Sequence, residues 1–474
     1  MARSGIESKA RRPVPAVPNV PFDDPSFSGL PRSESAPVVA RPRHATLAVL
    51  RVHNYRLFIT SQVVANTGVW MQRITQDWLV LRLTGSVTAV GVNAAMQFAP
   101  VVVFGLFGGV LADRYPKRML LVVTQSVAGV LAAALAVLTL SGGVRVEHVF
   151  AVSFALGVVT AVDSPARQVF VPELVGRAHL RSALSLNSSV FQLGGVVGPA
   201  VGGVLIDGLS EGWAFAINAV ACAIVVVMLC RVRGDLLHQV PVVPRAPGQL
   251  REGLRYVRDT PAIFWAITLA AVVGLLTQNM PVVLSAFAGV VFDTGAGGFG
   301  TYNALLAVGG VLGALLATQQ RTARLRTLVT LAVLLGIALA AASLAPGPVL
   351  FAVALLAAGA TSLLFLIGAN LLIQLGVDVA LGGRVLALYV MALLGGRALG
   401  GPAIGWASEE LGARLALLSF GCVLVLAAIG IGLILARTGS LRLSVRFRDR
   451  ERRAVIAIAP RVVERQSVPD QAHP

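Results

Sequence analysis

The sequence predicts an all-α membrane protein of twelve transmembrane helices arranged as two pseudo-symmetric six-helix bundles. Two observations carry this expectation. The pattern Gly-Pro-Ala-(Val/Ile)-Gly occurs twice, at Gly198–Gly202 and at Gly401–Gly405. Each copy lies inside an apolar run longer than the ~20 residues a helix needs to cross a bilayer. The composition agrees: 56% of the 474 residues are hydrophobic and 13% are charged, about half the ~25% charged share of a soluble domain. A chain of two similar membrane halves is expected to be a transporter with its substrate path between them.

Twelve apolar stretches meet the length requirement: 57–82, 87–112, 119–140, 147–170, 182–206, 212–230, 262–291, 298–319, 327–345, 348–375, 384–408 and 411–436. An even number places both termini on one side. Arg114, Lys117, Arg118, Arg177, Arg181, Arg321, Arg324, Arg326 and Arg384 fall in loops on that side. The opposite loops hold chiefly Arg82, Arg145 and Arg414, with the acids Glu147, Asp207, Glu211, Asp293, Glu409 and Glu410. The positive-inside rule then puts both termini in the cytoplasm of a multi-pass protein of the inner (plasma) membrane. The net charge of +17 sits almost wholly in tails and short loops. It therefore reads as topology and not as nucleic-acid binding. The bias to Arg, Ala, Val and Gly suggests a GC-rich bacterial genome. Cys222, Cys230 and Cys422 lie in or beside apolar spans and read as small buried hydrophobes, not a disulfide framework.

The organisation expected is a disordered basic tail over 1–50, bundles over 51–231 and 262–436, a cytoplasmic linker over 232–261, and a basic cytoplasmic tail over 437–474. No apolar signal-peptide core follows Met1. Within the linker Leu250, Leu254 and Val257 share one helical face, flanked by Arg251, Arg255 and Arg258. That pattern predicts a short amphipathic helix on the membrane surface.

Two segments, and a further group of three, carry the chemistry. Gly108-Gly109-Val110-Leu111-Ala112-Asp113-Arg114-Tyr115-Pro116-Lys117-Arg118 follows the second span, and Gly194–Gly203 lies in the fifth. Asn54-Tyr55-Arg56-Leu57-Phe58, Pro165-Ala166-Arg167-Gln168 and Val171-Pro172-Glu173-Leu174-Val175 complete the set. The first resembles motif A of the major facilitator superfamily. The second resembles its motif C, associated with antiporters and export. The third group is similar to the enterobactin-exporter-like and macrolide-efflux-like branch. The resemblance covers roughly residues 50–436 and implies the major facilitator fold. It further implies that Asp113 latches the cytoplasmic ends of the halves. Gly109 is expected to allow close helix packing, while Arg114, Lys117 and Arg118 face anionic lipid. Gly194, Gly198, Pro199, Gly202 and Gly203 form a small-residue, proline-bent gate. Two departures stand out: Gly382 where the branch has Arg, and Arg397 inside the eleventh span, for which no partner is apparent. The second-half counterpart of motif A, Ala317–Arg324, has basic residues but no Asp.

An ionisable residue inside a span costs ~2.5–3.5 kcal/mol on insertion scales, so it faces a cavity or a partner. Arg73 and Asp77 stand one turn apart in the first span and can pair. Asp77 is the candidate proton-exchanging carboxylate, with a structural ion pair as the plainer reading. Asp163 and Arg167 repeat this spacing in the fourth span, where a structural pair is expected. Asn66, Asn93, Gln97, Gln278, Asn279 and Asn370 are candidates for the substrate cavity; each also suits an ordinary helix–helix hydrogen bond.

No phosphate-binding loop, zinc-protease helix or nucleophile elbow occurs in a fitting context. The expected function is proton-coupled export of an amphipathic small molecule such as an antibiotic, a siderophore or another metabolite. No catalytic residue, metal or cofactor is expected, with the proton gradient as energy source. The expected partners are the small-molecule substrate and the lipid bilayer, with no nucleic acid, and the chain is expected to be monomeric. An importer or lipid flippase on the same fold is the alternative, and a membrane sensor or enzyme a remote one.

Overall fold

The computed structural model describes residues 49–238, 249–318, 324–377, 379–437, 442–447 and 454–459. The expectations for residues 1–48, for Arg321, and for most of the segment after Arg437 lie outside these.

Helix α1 runs His53–Thr84 and ends on Gly85, whose φ of 66° lies in the left-handed region that glycine accepts. Ser86 then caps α2, Val87–Arg114, its hydroxyl accepting from the Ala89 N–H at 3.1 Å. Helices α3 (Lys117–Leu140), α4 (Val146–Gly176), α5 (His179–Gly208) and α6 (Glu211–Cys230) follow. Chain continuity between α4 and α5 is helical except at Gly176, φ 63°. The linker helix α7 spans Gln249–Asp259. The predicted span 262–291 is not one helix: α8 (Pro261–Thr277) stops, α9 (Met280–Ala286) restarts, and Phe287–Val291 continues as a π-helical turn. Pro281 has no N–H to return to the carbonyl one turn back, so the ladder breaks at Gln278–Asn279. Helices α10 (Gly295–Ala317), α11 (Leu325–Ser343), α12 (Pro348–Gly376), α13 (Val379–Glu410) and α14 (Ala413–Arg437) complete the helical part. Strands β1 (Arg442–Phe447) and β2 (Ala454–Ala459) pair antiparallel with Arg442 opposite Ala459, structure not foreseen in the basic C-terminal segment.

Among the described residues, eleven helical segments are long and apolar enough to cross a membrane. Helix α1, at 32 residues, is long enough but carries Arg56, Arg73, Asp77 and Arg82. Many exterior Leu and Val side chains are exposed, and so are Cys230 and Cys422, whereas Cys222 is buried. The two exposed thiols depart from the buried-hydrophobe expectation, because a lipid-facing surface needs no polar cover.

The helices before α7 (the group α1–α6) and those after it (the group α8–α14) meet where α2 packs against α13 and α5 against α10. Small residues make both bridges. A Cβ on Gly91 would lie 3.0 Å from Pro402 Cα, and one on Gly405 2.6 Å from the Val87 carbonyl. On the other bridge, a Cβ on Gly203 would lie 3.0 Å from Gly300 Cα. Both copies of the repeat thus lie where the groups meet. All these contacts sit at the end distal to the α1 N-terminus and α7; there Thr88 also donates to Glu409. At the proximal end Gly105, Gly382 and Gly383 face open space.

The remaining charges are mostly structural. Arg82 pairs with Glu211 at 2.8 Å, and Arg414 caps α11 by donating to the carbonyls of Ser343 (3.0 Å) and Ala345 (2.6 Å). Asp163 and Arg167 form the expected ion pair, joined by the Thr124 hydroxyl at 2.7 Å. Removing one partner of a fully buried pair costs about 3–5 kcal/mol, and of this half-buried pair less. Asp163→Ala should therefore lower the thermal midpoint of the purified protein by several degrees; an unchanged midpoint would contradict a structural pair.

Candidate substrate cavity

Between the two helix groups lies a cavity of ≈ 200 Å³. Trp70 and Ile74 of α1 and Phe191 and Pro199 of α5 wall one side; Gln278, Pro281, Asn303 and Ser362 belong to the other. Trp70 and Phe191 meet edge to face with centroids 5.9 Å apart. The break at Gln278–Asn279 turns polar side chains out of the α8 ladder toward this space. Such a lining is apolar with a few polar groups, suited to an amphipathic ligand.

Its distal apex narrows to a smaller recess lined by Arg73, Asp77, Gln97, Phe98, Asn279 and Arg397 among others. Asp77 is buried, and its Oδ1 accepts from Asn93 Nδ2 at 2.8 Å and Gln97 Nε2 at 3.4 Å. Ser153 of α4 donates to Asn93 Oδ1 at 2.6 Å, which orients the amide. No ion pair joins Arg73 to Asp77, contrary to the pairing their spacing allows. The Arg73 guanidinium instead lies over Phe98 (5.1 Å) and Trp70 (5.6 Å). The partner of Arg397 is the opposite face of the problem: its guanidinium lies 3.9 Å from the Phe98 centroid, across the group boundary. Asn279 Nδ2 holds the Arg397 backbone by donating to its carbonyl at 2.8 Å. One carboxylate and two guanidiniums from both groups thus converge where the cavity is closed.

A family profile described as "transmembrane secretion effector" matches residues 44–451. The chain belongs to this family. Its relatives are major facilitator transporters, not enzymes. The multidrug efflux pump Tap of Mycolicibacterium fortuitum is 29% identical over 61% of this chain and 73% of its own length. The enterobactin exporter EntS of Escherichia coli O1:K1 is 24% identical over 76% and 86%. The staphyloferrin A transporter of Staphylococcus aureus is 27% identical over 37% of this chain, and the match spans 44% of that protein. In fold the chain is similar to the nucleoside transporter NupG, with a TM-score of 0.65, 13% identity and coverage of 81% and 99%. It is likewise similar to a D-xylose–proton symporter, with a TM-score of 0.60, 14% identity and coverage of 80% and 96%.

The glycines of the two motif segments pack helices together. In motif C, Gly198 abuts α1: a Cβ there would lie 2.6 Å from Trp70 Cβ and 2.8 Å from the Thr67 carbonyl. Gly194 abuts Asn66 of the same helix, Gly202 makes ordinary contact with Met71, and Gly203 alone of the four faces the other group. Pro199 lines the cavity, and its carbonyl approaches Gly300. In motif A, the close approach belongs to Gly108, which backs onto Ala161 of α4, while Gly109 is buried beside it. Lys117 and Arg118 do not face lipid. Lys117 pairs with Glu173 at 3.3 Å, and Arg118 Nε donates to the Leu229 carbonyl at 3.0 Å. Nearby protein acceptors at the ends of α4 and α6 take these cations first; Arg114 is exposed and Asp113 half-buried in the last turn of α2.

Of the polar candidates, Gln278 lines the main cavity and Gln97 and Asn279 line the recess. Asn93 holds Asp77. Asn66 lies against α5, and Asn370 accepts from Gln374 away from the cavity. Sequence reasoning missed Phe98 altogether. An aromatic residue in an apolar span carries no signal until a cation is found on its face.

Proposed function

We propose that the protein is a proton-coupled secondary exporter of amphipathic small molecules, with twelve spans in two six-helix bundles and both termini in the cytoplasm of a bacterial inner membrane. The first bundle comprises α1–α6 and the second α8–α14, with α7 on the cytoplasmic linker. The observation that carries this reading is a cavity between the two helix groups with a buried carboxylate, Asp77, in the recess at its distal apex. The cycle is one of alternating access, in which the cavity is reached in turn from each side of the membrane. Asp77 is the residue that gains and loses the proton. Kinship with exporters of a siderophore and of drugs supports the outward direction, and the lining supports an amphipathic cargo.

Cells producing the protein should accumulate less of an amphipathic fluorophore than cells without it, and a protonophore should erase the difference. Equal accumulation across a panel of such fluorophores, or a difference indifferent to the protonophore, would contradict the reading. In this cycle Asp113 latches the cytoplasmic ends when the protein faces outward. Asp113→Asn should leave membrane insertion intact and cut efflux severely; normal efflux from a well-produced variant would remove the latch.

A further inference from the structure

The apex holds more positive charge than its own carboxylate offsets. Among the residues lining the recess, the ionisable ones are Arg73, Asp77 and Arg397. Two cations against one carboxylate leave a positive charge over. That carboxylate is already engaged by two amides, Asn93 and Gln97. Among the described residues neither guanidinium donates a hydrogen bond or enters an ion pair, and the buried Nε of Arg397 has no acceptor at all. Cation–π contact with Phe98 compensates their charge through the ring face, but it leaves the N–H groups in the guanidinium plane unused. A guanidinium with free in-plane donors beside an apolar cavity is matched by a planar oxyanion, which it binds in bidentate fashion.

We propose that this apex receives an acidic group of the substrate, the carboxylate of an amphipathic acid, between the guanidiniums of Arg73 and Arg397. The inference rests on the cavity being the transport site. The apolar body of the acid would occupy the wider space along Trp70 and Phe191. Because the two arginines come from different helix groups, the bound carboxylate would bridge the boundary that the cycle opens and closes. With the acid bound the apex is neutral. Empty, it keeps its excess positive charge, which an inside-negative membrane draws back toward the cytoplasm.

The test uses the full-length protein in lipid nanodiscs, titrated calorimetrically with naphthoate and with its neutral analogue naphthamide. Naphthoate should bind saturably and at least about tenfold tighter than the amide. Arg397→Gln should erase that preference. Arg397→Lys, which keeps the charge but not the fork, should retain part of it. Asp77→Asn should tighten naphthoate binding, since it removes the opposing negative charge; a merely structural cluster would not respond in this way. Equal binding of acid and amide, no saturable binding of naphthoate, or an acid preference unmoved in Arg397→Lys and Asp77→Asn would overturn the proposal. Protonophore-sensitive efflux of neutral fluorophores together with equal binding would overturn the acid site and leave export standing. Acid binding without any efflux would do the reverse.

Discussion

Asp77→Asn should reduce proton-driven efflux to the background of cells lacking the protein, while substrate binding survives. The substitution keeps the shape of the side chain and an oxygen able to accept from Asn93 and Gln97, so the local network has little reason to collapse. What it removes is the one group in the recess able to alternate between charged and neutral forms. Coupling to a gradient needs such a group, alternately reached from each side of the membrane. The predicted pattern is loss of gradient-driven transport with a dissociation constant within about threefold of the wild type for a neutral ligand. Full transport in Asp77→Asn would place the coupling elsewhere and leave Asp77 as a structural acceptor for two amides.

Gly198→Leu should block the cycle and destabilise the protein. Even a Cβ at this position would meet Trp70 Cβ at 2.6 Å, the Thr67 carbonyl at 2.8 Å and the Met71 amide at 2.9 Å. These atoms belong to or lie against the α1 backbone and cannot rotate away. Overpacking of a well-filled contact costs about 1–3 kcal/mol, and here relief requires the whole of α5 to withdraw from α1. The control is Gly202→Ala: its Cβ would meet Met71 at 3.5 Å, an ordinary contact. That variant should match the wild type in thermal midpoint and in transport. Equal behaviour of the two variants would mean that α5 does not pack against α1 as described.

Much of this architecture was legible in the sequence, for reasons that differ by feature. The helical segments were legible because a bilayer demands long apolar runs, and the basic loops between them because charge is excluded from the hydrocarbon. The broken helix at Gln278–Asn279 was announced by Pro281, though a window of hydropathy reads straight through it. Asp77 stood out as a carboxylate in an apolar span. Its environment did not, since Asn93, Gln97 and Ser153 arrive from two other helices. Arg397 was visible as an anomaly, but its contact with Phe98 spans about 300 residues of sequence, and no local spacing rule reaches that far. Motif A misled in one respect. Lys117 and Arg118 read as lipid-facing from their position beside the membrane, yet Glu173 and the end of α6 stand close enough to take them.

Proton-coupled export requires that substrate leaving the cell and protons entering it be stoichiometrically linked through the cavity. The direct measurement is made on purified protein reconstituted in proteoliposomes, with a pH-sensitive dye sealed inside and a compound whose cellular accumulation the protein lowers. Transport of this compound from the cytoplasmic face to the opposite face should be accompanied by proton movement in the other direction, and both fluxes should vanish together in Asp77→Asn. Undiminished movement of the compound with no accompanying change in internal pH would contradict it.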